Sequence, residues 1–94
     1  MKEYESMFLV NPELDEEGVE KVKQKVESVI SGKNGEVEKW EIWGRRRLAY
    51  KIGVRAEAIY LLLFFRGESE LVSELKKMCR LNTDLMQYMF LRKN

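Results

Sequence analysis

Between Ala58 and Phe65 the chain reads Ala-Ile-Tyr-Leu-Leu-Leu-Phe-Phe, an unbroken apolar run closed by Arg66 and Gly67. It is far shorter than the ~20 residues that span a bilayer as a helix. With no polar alternation, it reads as a central strand covered on both faces. Whatever else the chain does, it must build a sheet around this strand.

The flanking sequence supplies that sheet by changing its period repeatedly. Tyr4 to Val10 is short, apolar and bounded by Asn11-Pro12, a strand running into a turn. Asp15 then offers a helix N-cap, with Glu16 and Glu17 placed well against the helix dipole. Val19, Val22, Val26, Val29 and Ile30 recur at spacings of three and four, one face of an amphipathic helix whose end Gly32 and Gly35 bracket. Glu36 to about Ile52 reads as a long strand, with Gly44 predicting a bulge or bend in its middle. Gly53 to Glu57 is the expected hairpin turn before the apolar strand Ala58–Arg66. After Gly67-Glu68-Ser69, a second helix shows the stripe Leu71, Val72, Leu75, Met78, Cys79. Asn82-Thr83-Asp84 ends it, and Leu85 to Lys93 is a last strand with an apolar body and a basic end.

The order β-α-β-β-α-β is the ferredoxin-like α+β arrangement: a four-stranded antiparallel sheet with two helices on one face. Right-handed crossovers place the first and third strands in the centre and the second and fourth at the edges. Ninety-four residues suffice for one such domain, 1–94, and not for two.

Several chemistries are excluded by what is missing. One cysteine, Cys79, cannot form an internal disulfide or ligate an iron–sulfur cluster, and it fits a reducing compartment. No histidine is present, so the usual general base and the commonest metal ligand are lacking. Glu3 and Glu5 interrupt any N-terminal secretory signal, and a cytoplasmic protein with no membrane contact is expected. No glycine-rich phosphate loop appears. An acylphosphatase on this topology needs an arginine-bearing loop after the first strand. Here that loop, Asn11 to Glu17, is acidic. The third strand also lacks the basic start and the glycine of an RNA-recognition motif, so its aromatics are expected in the core. The chain is expected to be neither an enzyme nor a cofactor carrier.

The concentrated feature is Arg45-Arg46-Arg47, followed by Lys51 and Arg55, on a chain whose 17 basic and 16 acidic residues nearly cancel. Alternation along a strand sets Arg46 opposite to Arg45 and Arg47 unless Gly44 resets the register. Charges on an edge strand block strand-on-strand aggregation. Arginine also makes forked contacts to phosphate. Both uses are open to these residues. Two helices cover one face of a sheet, yet the first, third and fourth strands are apolar on both, and Trp40, Ile42 and Trp43 add bulk to an edge strand. That pattern calls for a protein partner. The simpler alternative is that Trp40 or Trp43 folds over the end of the core.

Several segments together resemble one family, the sixth protein of the bacterial small ribosomal subunit. They are Met1-Lys2-Glu3-Tyr4-Glu5, Asn11-Pro12-Glu13-Leu14-Asp15, Val37-Glu38-Lys39 and, above all, Gly44-Arg45-Arg46-Arg47-Leu48-Ala49-Tyr50-Lys51-Ile52. The resemblance covers the whole chain and implies a structural protein that binds 16S ribosomal RNA together with the eighteenth protein of that subunit, without catalysis or cofactor. It implies a monomer when isolated. RNA contact is expected from Lys2, Tyr4, Arg45, Arg46, Arg47, Lys51, Arg92 and Lys93, and partner contact from Trp40, Ile42, Trp43, Leu48 and Tyr50. The chain departs from the family pattern in a short hairpin after Ile52, in Trp40 and Trp43, and in stopping at Asn94 without an acidic tail. The alternative from another class is a ligand-binding or oligomerising regulatory domain on the same topology.

Overall fold

A computed structural model describes residues 1–93; Asn94 lies outside the described residues. The elements are β1 (Lys2–Val10), α1 (Glu16–Gly32), β2 (Glu36–Ile52), β3 (Arg55–Gly67), α2 (Ser69–Leu81) and β4 (Leu85–Lys93). Every pairing is antiparallel, in the order β2-β3-β1-β4, so the two most apolar strands are central as expected. No helix among the described residues is long and apolar enough to cross a membrane.

Helix α1 starts where the sequence predicts it. The Asp15 carboxylate accepts from the Gly18 amide at 2.8 Å, and Glu16 and Glu17 occupy the first turn. Its end differs from expectation: the left-handed residue is Asn34, at φ 60°, and not a glycine. Gly35 serves a different need. A Cβ there would sit 2.7 Å from Leu71 Cδ2 and 2.9 Å from the Arg66 carbonyl oxygen, so only a glycine lets the chain pass under α2. The β2–β3 turn is also tighter than predicted, reduced to Gly53-Val54 because the positive φ of Gly53 closes it early.

Both helices lie on one face of the sheet. There Tyr4, Phe8 and Val10 of β1 meet Leu61, Leu63 and Phe65 of β3, under Val22, Val26 and Ile30 of α1 and Leu71, Leu75 and Cys79 of α2. Ser6 lies among them, and its hydroxyl donates to the Leu63 carbonyl at 3.3 Å, so the one buried polar side chain of β1 is not left unpaired. Among the described residues, both helices, α1 and α2, lie on that face and none on the opposite one.

Candidate nucleic-acid interface

Strand β1 pairs with β3 only as far as the Val10–Ile59 rung, while β2 and β3 continue to their turn. The hairpin therefore runs past the sheet as a two-stranded tongue. It carries Arg46, Arg47, Tyr50 and Lys51, all exposed, with Tyr50 at 75%. Gly44, at φ 78°, sits at the root of this tongue, where the register slips between Ile42 and Gly44. Without the slip, Arg46 would share a face with Trp40 and Ile42, both on the helix side. With it, Arg46 pairs with Ala58 on the open face, while Arg45 and Arg47 pair with Ile59 and Glu57 on the helix side. The alternation expected among the three arginines holds, and the bulge decides which face each one receives.

Their environments differ accordingly. Arg45 donates to the Pro12 carbonyl and lies 3.7 Å from the Glu57 carboxylate. Arg55, across the hairpin, lies 3.8 Å from Glu13. These two arginines tie the tongue to the β1–α1 loop, whose acidity thereby gains a structural use. No ion pair among the described residues involves Arg46, Arg47 or Lys51. Lys2, Arg92 and Lys93 lie at the other end of the sheet, on the rungs Lys2–Gly67, Tyr4–Arg92 and Glu3–Lys93. The nine residues of β1, at about 3.4 Å each, keep the two basic groups roughly 30 Å apart.

Two expected site residues are placed elsewhere. Tyr4 is only 6% exposed, stacked on Phe65 at 5.3 Å in the helix-covered core, because its even position on β1 shares the face of Ser6 and Phe8. It has no surface to offer RNA. Trp40 also faces the helices: its Nε1 donates to Glu27 at 2.7 Å, Lys23 lies over its ring, and Phe8 is 6.1 Å away. It closes the core between β2 and α1, as the simpler alternative held. Ile42 and Trp43 remain exposed and Leu48 is half-buried.

The open face holds what strand parity could have found, the even positions of β3. Tyr60 and Phe64 point away from the helices, and Trp43 stacks over Tyr60 at 6.4 Å. Lys39 and Lys93 sit over the Phe64 ring at 5.0 and 5.4 Å. Met89 and Leu91 extend the apolar surface on β4. Of the third-strand aromatics, only Phe65 is a core residue in the sense expected.

No cluster of three metal-ligating side chains occurs among the described residues, and burial pushes the Cys79 thiol up to about 11, far from a reactive thiolate. What the surface offers is unpaired guanidinium groups and aromatic faces.

The family model for ribosomal protein S6 matches residues 3–92. Small ribosomal subunit protein bS6 of Desulforamulus reducens is 39% identical over 92 residues, covering 98% of this chain and 97% of its own. The protein of the same name from Clostridium acetobutylicum is 38% identical over 91 residues, covering 97% and 96%. The crystal structure of 30S ribosomal protein S6 from Thermotoga maritima superposes with a TM-score of 0.90 at 29% identity, over 98% of this chain and 87% of that one. Such proteins are structural components of the small ribosomal subunit in the cytoplasm and not enzymes. This chain belongs to the ribosomal protein S6 family.

Proposed function

We propose that this small-subunit protein binds 16S ribosomal RNA through the protruding β2–β3 hairpin, jointly with the eighteenth protein of the subunit. The observation that carries the reading is the contrast among the arginines. Arg45 and Arg55 are engaged by Glu57, the Pro12 carbonyl and Glu13, whereas Arg46, Arg47 and Lys51, exposed like Arg45, have no carboxylate partner among the described residues. A guanidinium with free forked donors and little desolvation to overcome is suited to phosphate. The phosphate-facing role expected of Arg45 therefore passes to its two neighbours. Lys2, Arg92 and Lys93, a sheet-length away, meet a separate stretch of RNA. The protein partner meets Ile42, Leu48 and Tyr50, carried by the same edge strand as the arginines.

A net charge of +1 supports only a few phosphate contacts, so binding alone is weak and becomes tight with the partner present. Titrating a small-subunit RNA fragment with and without the eighteenth protein, then repeating with Arg46→Ala/Arg47→Ala, tests this. The double variant should shift the slope of log affinity against log salt by about 0.9 for each duplex phosphate no longer neutralised. Unchanged affinity and slope would remove the arginine assignment. A tight dimer in light scattering with no RNA affinity would favour self-association through the apolar open face instead.

A further inference from the structure

Beside the root of the hairpin, on the open face, Trp43, Tyr60 and Arg46 surround one shallow pocket. Trp43 lies off the ladder between the Ile42–Leu61 and Gly44–Tyr60 pairs and over Tyr60, and the slip at Gly44 brings Arg46 onto the same face beside them. The two rings lie within 7° of parallel, and Trp43 remains 44% exposed. Its Nε1 donates to Glu41 at 3.3 Å, and Lys39 holds that carboxylate at 3.0 Å, so the indole is oriented by its own strand. Arg46 lines the same pocket.

A half-exposed tryptophan stacked on tyrosine suits either a protein anchor or a nucleobase platform. The setting of the arginine decides between them. Protein hot spots are themselves rich in tryptophan, tyrosine and arginine. Arg46, however, lies beside Arg47 and Lys51, all exposed and none in an ion pair among the described residues. Such a group of free cations favours a polyanion. Single-stranded nucleic acid requires an aromatic face and a backbone cation together, within the reach of one nucleotide. We propose that Trp43, Tyr60 and Arg46 form a stacking site for one unpaired nucleobase of single-stranded RNA, the indole extending its stack to the base and the guanidinium meeting the adjoining phosphate. The site rests on the RNA-binding reading above and deepens it by naming an unpaired strand as the ligand. It also moves Trp43 from the protein-facing surface, where the sequence placed it, to the RNA-facing one. Stacking is tolerant of base identity, so affinity should vary little among the four bases.

Trp40, packed on Phe8 and bonded to Glu27, provides an internal contrast for the test. Intrinsic fluorescence of the full chain is titrated with a single-stranded adenine decamer RNA, and affinity is followed separately by anisotropy of the end-labelled decamer. The wild type should show saturable quenching. Trp43→Phe should lose most of the quenching yet bind within about threefold, since phenylalanine keeps a stacking face. Trp43→Ala should bind about tenfold more weakly, and a blunt duplex of the same length should not quench. Undiminished affinity in Trp43→Ala, or quenching that persists in Trp43→Phe, would overturn the site. So would quenching by the eighteenth protein and not by RNA, which would return the platform to a protein contact. If Arg46→Ala/Arg47→Ala weakens the structured RNA fragment while Trp43→Ala leaves the decamer unchanged, the stacking site falls and the phosphate reading stands. If the arginine variant leaves the structured fragment unchanged as well, both fall.

Discussion

Trp40 and Trp43 are three residues apart on one strand and have opposite surroundings. Trp40 is turned under α1, hydrogen-bonded to Glu27 and packed on Phe8; Trp43 is turned outward over Tyr60. Side-chain type does not separate them. Strand alternation does, since positions three apart fall on opposite faces. The slip between Ile42 and Gly44 instead reassigns the residues after it, setting Arg46 on the face of Trp43. The comparison can be broken by truncation. Trp40→Ala should destabilise the fold by about 3 kcal/mol, near the lower end for a large aromatic because Trp40 is only half-buried, and it strands the Glu27 acceptor. Trp43→Ala should cost about 1 kcal/mol or less, since it removes one exposed stacking partner of Tyr60. Urea unfolding of the two variants measures both. Equal losses would mean that the two faces of β2 are not distinct in energy.

The topology was legible in the sequence because each element announces its own period and its own punctuation. Asp15 caps α1, the stripe from Leu71 to Cys79 faces the sheet, and the run from Ala58 to Phe65 takes the centre. The faces of β2 were much less legible. Parity can be counted along a strand only until a bulge intervenes, and β2 has shifts at Val37/Lys39, Ile42/Gly44 and near its tip. Gly44 gave notice of one, whereas nothing in Glu38 marks the first. Tyr4 is a simpler case. Family resemblance points it towards RNA, although its spacing from Phe8 and Val10 puts it on the covered face. The free state of Arg46 and Arg47 was beyond reach, since it depends on Glu57 and Pro12 both engaging Arg45.

The covered face has a titrating reporter in Cys79 on α2. Burial raises its thiol from 9.0 to about 11, so the unfolded chain ionises first as pH rises. The stability contributed by the neutral thiol is complete below pH 9 and is lost between pH 9 and 11. At pH 10 the wild type should be destabilised by roughly 1.4 kcal/mol relative to its own value at pH 8, beyond the change seen in Cys79→Val. Denaturant midpoints of the two proteins at both pH values give the difference. Parallel behaviour would mean that solvent reaches under α2, and the contrast between covered and open faces would weaken.

The smallest effects distinguish Arg45 from Arg46, adjacent residues on opposite faces of one strand. Arg45→Ala loses an exposed ion pair with Glu57 and a hydrogen bond to Pro12, and should cost about 0.5–1 kcal/mol of stability. It should leave the salt dependence of RNA binding unchanged. Arg46→Ala should do the reverse, with stability within about 0.5 kcal/mol of wild type and a salt slope shallower by about 0.9 if one duplex phosphate goes unneutralised. Thermal or urea unfolding and RNA titrations at several salt concentrations, run on both variants, read the two quantities independently. The crossed pattern matters more than either size. If Arg45→Ala instead flattens the salt slope while holding stability, its tether to the Pro12 loop is displaced in the complex. The hairpin would then bind RNA with all three arginines, and the division of labour set by the Gly44 bulge would belong to the free protein alone.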